Sequence, residues 1–336
     1  MRINKLISVF LIFALCFSLT ACRDSSKERD DNNSSLINNV NSNKDQNKTM
    51  KSGDATPLLY KVTDDDGDVI WLFGSIHVGE EYFYPLPDYV FDALDNADSL
   101  AVEFDIVAFE KDNKAQMKSI ESMVIKTGKK TKDLLDEELY KEAKEILKDC
   151  GYYSSYMNYY LPILWADFID SALYEEIDAN SDLGIDRHLI DYAYENDIDV
   201  LSVESAEFQY GMMAGFSEEL QAFLLEQSIE QYNSKMFTKL SLSILTKAWA
   251  RGNEEKLISL LSDSDTDDMD KEEKKLYEEY NNAMIVERNE NMTDWAEEAL
   301  EDGEEVFICV GAAHVVGPGA MAEMLSDRGY TVEIVN

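Results

Sequence analysis

The chain has 336 residues, with 68 acidic against 30 basic side chains and a formal net charge of −38 at neutral pH. A surface this acidic repels nucleic acid and anionic lipid headgroups, which excludes DNA or RNA binding as the main role. The four cysteines show no Cys-x-x-Cys spacing, so nothing in their pattern points to a thiolate zinc site.

Residues 1–22 read as a targeting segment rather than as part of the fold. Met1 to Lys5 is a short basic leader, Leu6–Leu19 is apolar, and Leu19-Thr-Ala-Cys22 ends on a small-residue cleavage pattern with a cysteine. This ending resembles a bacterial lipoprotein signal. The expectation is a chain lipid-anchored through Cys22 on the extracytoplasmic face of the cell membrane. Residues 23–55 are rich in Asn, Ser, Asp and Lys, and are expected to form a disordered tether. That leaves 56–336 as the folded domain, with Cys150 and Cys309 as its thiols. Cys309 reads as a small apolar filler of a buried strand, and a Cys150–Cys309 bond stays open.

The domain begins with two apolar runs, Leu58–Val62 and Val69–Phe73, around an Asp-Gly turn, which predicts a hairpin rather than a calcium loop. The second run leads straight into Gly74-Ser-Ile-His77-Val-Gly79. A helix over Pro87–Asn96 and a strand Ser99–Val102 follow, and the strand delivers Glu103 and Asp105. From about 108 to about 300 the pattern is mostly helical. Thr131–Cys150 carries apolar residues at helical spacing up to Gly151, and a tyrosine-rich stretch (Tyr152, Tyr153, Tyr156, Tyr159, Tyr160) reads as helix packing or as an aromatic wall for an extended ligand. Gly184-Ile-Asp186 opens a helix whose apolar face includes His188, read as a packed residue. The strand Val200–Val203 ends at Glu204.

Helices are then predicted over Ala206–Tyr232, Ser234–Arg251 and Glu254–Leu261. The acidic run Asp263–Asp268 lacks the glycine and glutamate of a calcium-binding loop and reads as a linker. A long helix Lys271–Glu301 places Arg288, Met292 and Trp295 on one side. An inward arginine needs a carboxylate or a substrate as partner, and Asn289 lies beside it. Finally, the strand Val306–Val310 runs into Gly311-Ala-Ala-His314, a glycine-rich loop through Gly319, a short helix, and a last strand Tyr330–Val335. The fold class is thus α/β with mixed α+β character: a central mixed sheet, a β–loop–α–β unit at each end of the domain, and a large helical middle.

The doubled Gly-x-x-His-Val is the sharpest signal. With 15 glycines in 336 residues, a glycine three places before a given histidine is a roughly 5% coincidence, and here it happens twice, each time at a strand exit. Four strands therefore end in His77, Glu103, Glu204 and His314. In parallel α/β sheets ligands bind beyond the carboxyl ends of strands. Two imidazoles and a carboxylate suit a divalent metal with an open position for water, a second carboxylate serving as general base. A histidine base oriented by a glutamate, without metal, is the alternative. Neither a Gly-x-Ser-x-Gly elbow nor a His-Glu-x-x-His motif is present.

Taken together, Trp-Leu-Phe-Gly-Ser-Ile-His77, Ala-Val-Glu103-Phe-Asp105, Gly184-Ile-Asp186, Val-Glu204-Ser with Gln209, Glu287-Arg288-Asn289 and Val-Gly-Ala-Ala-His314 with Gly319 resemble the TraB/GumN family, in order and over nearly the whole domain. The resemblance, which extends to the Tiki proteins, implies a metal-dependent peptidase built on a fold similar to that of erythromycin esterase and a haem-binding lipoprotein. It implies His77 and His314 as the central pair and Glu103 as the essential carboxylate. The expectation is that the histidines ligate or flank a divalent ion (manganese, cobalt or zinc) and that Glu103 ligates it or activates water. Arg288 and Asn289 would support the site by holding substrate or developing negative charge, Glu204 being a weaker candidate, with a peptide or protein as substrate. Rival readings are a protein that sequesters a peptide signal without cleaving it, a haem- or metal-binding lipoprotein, and an ester hydrolase of the same site chemistry.

Overall fold

A computed structural model of the chain describes residues 50–262 and 269–335. The expected signal segment with Cys22, most of the expected tether and the acidic run Asp263–Asp268 lie outside the described residues. No helix among the described residues is long and apolar enough to cross a membrane.

The centre is a six-stranded mixed sheet made of β1 (Leu59–Thr63), β2 (Val69–Ser75), β3 (Ser99–Val102), β4 (Asp199–Ser202), β5 (Val306–Gly311) and β6 (Thr331–Ile334). Their spatial order is β4-β3-β5-β2-β1-β6. β2, β5, β3 and β4 run parallel, whereas β1 is antiparallel to β2 and to β6. The neighbouring strands β3 and β5 are buried throughout and, apart from Ser99 at the start of β3, carry no polar side chain, as expected for parallel strands covered on both faces. The hairpin turn is closed by Asp64, whose Oδ1 accepts from the backbone N–H groups of Asp66, Gly67 and Asp68 at 2.8–3.0 Å. That is a self-capped turn.

Register aligns the exits of the parallel strands. Ser75 pairs with Gly311, Val102 with Cys309, and Val102 with Ser202. The four strand ends therefore share one edge, and the residues that follow them are delivered side by side.

The helical middle forms its own core, centred on Leu147, Trp165, Ile169, Leu220 and Leu225. The helix Pro162–Ile177 joins this core to that of the sheet. Its first half (Ile163 to Ile169) packs among the helices, and Leu173, Tyr174 and Ile177 pack with the sheet. Being apolar nearly all round, it is buried nearly all round.

Several predicted helices divide in the structure. The Thr131–Cys150 element is a 3-10 turn at Thr131–Asp133 and then a helix Glu137–Asp149, started by Asp136, whose carboxylate accepts from the N–H groups of Glu138 and Leu139. Ala206–Tyr232 separates into Ala206–Ala214 and Glu218–Asn233, the second restarted by Ser217 capping the Leu220 N–H. Apolar periodicity alone hid both restarts. Lys271–Glu301 contains a π-helical turn at Asn282–Val286 between Lys271–Asn281 and Glu287–Glu301. Cys150 and Cys309 are both free thiols, Cys309 buried inside β5 and Cys150 Sγ 3.1 Å from the Tyr232 hydroxyl. His188 packs on Tyr84, ring centroids 4.4 Å apart, and burial lowers its pKa. Of the tyrosine-rich stretch, Tyr153 packs on Trp165 while Tyr156 and Tyr159 are exposed.

The end of β2 is pinned from the helical side by Trp249, whose indole N–H donates to the Gly74 carbonyl at 2.6 Å while its ring packs on Phe73 and Phe83. Trp249→Phe keeps most of the packing and removes the indole donor from a buried carbonyl. The expected loss is about 1–3 kcal/mol of stability, read from urea denaturation.

Candidate active site

Arg288 organises the carboxyl edge of the sheet. It is 2% exposed and reaches two carboxylates delivered by neighbouring strands. Its Nη2 donates to Glu103 Oε2 at 2.6 Å and to Glu204 Oε2 at 2.8 Å, and its Nε donates to Glu204 Oε1 at 2.8 Å. The Gln209 amide bridges the same pair, donating to Glu103 Oε2 at 2.9 Å and to Glu204 Oε2 at 2.7 Å. Glu103 Oε1 accepts from the Gly311 N–H at 2.9 Å. Burial alone would raise the Glu103 pKa, but the Arg288 charge, joined by His314, His77 and the Gly311 N–H, outweighs it. Together they hold the carboxyl well below the usual carboxylate range. Glu103 is therefore a fixed negative charge and a weak proton acceptor.

His314 stands on a single helical turn, Ala312–Val315, rather than on the open loop expected from sequence. Its Nδ1 lies 2.6 Å from Asn289 Oδ1, and the Asn289 amide nitrogen donates to the Gly319 carbonyl at 2.7 Å. With the Asn289 amide nitrogen committed to Gly319, its oxygen accepts from Nδ1–H of the imidazole. The lone pair is then on Nε2, which lies 4.0 Å from Glu103 Oε1. Burial, followed by the Arg288 charge, lowers the His314 pKa to about 3 against an attraction from Glu103, so the ring is neutral near pH 7.

Two glycines make this proximity possible. A Cβ on Gly74 would sit 2.9 Å from the Ala312 Cα, and one on Gly311 would sit 3.1 Å from Glu103 Oε1. Gly311 has φ −51°, an ordinary value. The glycine of each Gly-x-x-His motif thus serves close approach rather than an unusual backbone angle.

His77 lies just beyond β2, its Nδ1 3.1 Å from Asp186 Oδ2. Asp186 sits in the first turn of the helix Ile185–Glu195. That helix is docked on the histidine segment by backbone bonds, Ile185 N–H to Ile76 O and Gly79 N–H to Asn180 O, both 2.9 Å. Ser75, His77, Glu103, Phe104, Ile106 and Asp186 line a small pocket. The structure thus gathers all of His77, Glu103, Glu204, Arg288, Asn289 and His314 at one edge. The predicted site omitted Asp186 and Gln209. Both lay in the quoted motifs, Gly184-Ile-Asp186 and Val-Glu204-Ser with Gln209, but nothing in their spacing marked a site role.

The side-chain types at this edge are ones that divalent cations take as donors. Each imidazole is held at Nδ1 by an acceptor side chain, which is how protein groups orient histidine ligands. Glu103, Glu204 and Asp186 set three carboxylates against one guanidinium. The His314 Nε2 lone pair and Glu103 Oε1 are two acceptors facing one another, an arrangement that favours positive charge between them. Among the described residues no three His, Cys, Asp or Glu side chains are already drawn together as a metal-binding group.

Two outcomes follow. Arg288→Met leaves two buried carboxylates without their counter-charge and is expected to cost about 3–5 kcal/mol in urea denaturation at pH 7. His314 takes a proton near pH 3 in the folded chain and near 6.5 when unfolded, so between these values the unfolded chain binds the extra proton and stability falls as pH falls. With a chelator present, the wild type is expected to lose up to about 1.4 kcal/mol per pH unit to this group below about 6.5. His314→Gln is expected to remove that slope, and Glu103 adds its own loss only below its ordinary value of 4.5.

Comparison with known proteins gives this edge a family context. Over 256 residues the chain is 24% identical to the uncharacterized protein YbaP of Escherichia coli (strain K12), covering 76% of this chain and 86% of that protein, and YbaP of Shigella flexneri matches to the same extent. No solved structure matches the chain. The model of the TraB/PrgY/gumN family matches residues 58–334, a span that holds all six strands and every residue of the site, and the chain belongs to that family.

Proposed function

We propose that the protein is a lipid-anchored, extracytoplasmic hydrolase that depends on a divalent metal ion and cleaves peptide bonds. The observation that carries this reading is the matched pair of imidazoles, His77 held by Asp186 and His314 by Asn289, at the same edge as a carboxylate kept ionised by Arg288. His77, His314 and Glu103 would hold the ion, with manganese, cobalt or zinc suited to two imidazoles and an oxygen donor. When bound, such an ion polarises a carbonyl and makes water a better nucleophile at neutral pH.

The remaining residues prepare the site. Arg288 is committed to Glu103 and Glu204, so its part is to fix Glu103 in place and in charge rather than to reach substrate. Glu204 and Gln209 complete that clamp from the β4 side. Asn289 sets the His314 tautomer and directs Nε2 inward. Glu103 is poorly suited to take a proton from water because Arg288 opposes its protonation. Asp186, with one carboxylate oxygen buried and lacking a hydrogen-bond partner among the described residues, is better placed beside His77 for that task.

The test is metal content of the protein purified without a histidine tag, alongside His77→Ala and His314→Ala, followed by peptide-cleavage screens with the ion found. About one equivalent of a transition metal, lost in both variants together with cleavage, is expected. Metal retained in both variants would overturn the assignment. Metal bound with every peptide recovered whole would favour a sequestering role over hydrolysis.

A further inference from the structure

The helical layer holds a second cavity that takes no part in the site above. It lies between the helices Pro162–Ile177 and Glu218–Asn233, with a volume of about 50 Å³, room for a small group or a few waters. Much of its wall is apolar, with Ile163, Leu164, Met213 and Leu224 among the lining residues. Asp167 and Asp170, three apart and so on one face of their helix, line it from one side. Gln227, Ser228 and Gln231 line it from the other.

Ser228 donates to Asp170 Oδ2 at 3.0 Å. Asp167 Oδ2 and Asp170 Oδ1 are buried and have no hydrogen-bond partner among the described residues. Gln227 and Gln231, 7% and 3% exposed, line the same cavity. Buried carboxylate oxygens left in this state are costly in a wall of apolar groups. Packing alone would be served better by apolar residues at these positions. Burial raises the pKa of Asp170 to about 7, and burial with the Asp170 charge raises that of Asp167 well above its ordinary value. Burial thus opposes the ionised form of both carboxyls, and a cation beside them would offset that cost.

The apolar wall does not suit a strongly hydrated ion, while the carboxylates and amide oxygens ask for a charged donor of several N–H bonds. We propose that this cavity is a binding site for a small primary amine with an apolar body. Its ammonium group is held by Asp167, Asp170 and the amide oxygens of Gln227 and Gln231, and its hydrocarbon lies against Ile163, Leu164 and Leu224. Pockets of this kind combine apolar walls with a few polar groups that fix orientation.

The experiment is calorimetric and thermal-shift titration of the purified full-length chain with methyl-, propyl- and benzylammonium chloride, with propanol and calcium chloride as comparators. Saturable binding of propylammonium, an upward shift of Tm and no response to propanol are expected. Affinity should fall at least tenfold in Asp167→Asn and in Asp170→Asn. Leu224→Phe, which fills the cavity and leaves the carboxylates in place, should also abolish binding, and circular dichroism checks that each variant folds. Absence of amine binding would overturn the proposal, as would binding unchanged in both Asn variants. A response to calcium with none to the amines would overturn it in favour of a hard-metal site.

Discussion

The buried contact of Arg288 with Glu103 and Glu204 is the constraint on which the site depends. Glu103 and Glu204 come from adjacent parallel strands, and their like charges would force them apart without a counter-charge between them. One planar guanidinium meets both, Nη2 donating to Glu103 and to Glu204 while Nε donates to Glu204, a geometry that lysine could not reproduce. The cost of burying these charges is offset only because Gln209 and the Gly311 N–H satisfy further carboxylate lone pairs. Arg288 also sets the electrostatics of its neighbours, holding Glu103 ionised against its burial and adding to the burial that keeps His314 neutral.

Arg288 reaches that position through a local irregularity. The π-helical turn Asn282–Val286 immediately precedes its helix and adds an extra residue to the turn, which rephases the helix that follows. Arg288 then points to the sheet edge, Asn289 meets His314, and Thr293 donates to the Asn289 carbonyl at 2.7 Å. A single helix thus fixes the guanidinium between the two glutamates and the imidazole of the second Gly-x-x-His motif. The first motif is fixed separately, by the docking of Ile185–Glu195 and its Asp186. The two histidines are consequently oriented by different elements, and the register of Ser75 with Gly311 brings their segments to the same edge.

Much of this could be read from the sequence. The Asp-Gly hairpin, the helix beginning after Pro87, the buried β5 and the final β-unit all have local causes, and each appears where its residues predict it. The strand-exit positions of His77, Glu103, Glu204 and His314 were legible because an apolar run followed by a polar residue marks the end of a strand. The restarts at Asp136 and Ser217 were not separated from the helices around them. A cap bond needs only one short side chain, and apolar periodicity runs across such breaks unchanged.

The sequence by itself determined which residue types leave which strands, the two close-approach glycines, and the membership of an arginine and an asparagine in one helix turn. These are properties of neighbouring residues and of the period of their element. Only the tertiary structure decided that Arg288 answers to two carboxylates, that Asp186 holds His77, and that Gln209 spans Glu103 and Glu204. Apart from Gln209 with Glu204, which are close in sequence, such partnerships join residues 84 to 185 positions apart. The order of strands in the sheet and the phase of one π turn set them, and neither leaves a pattern in the local sequence.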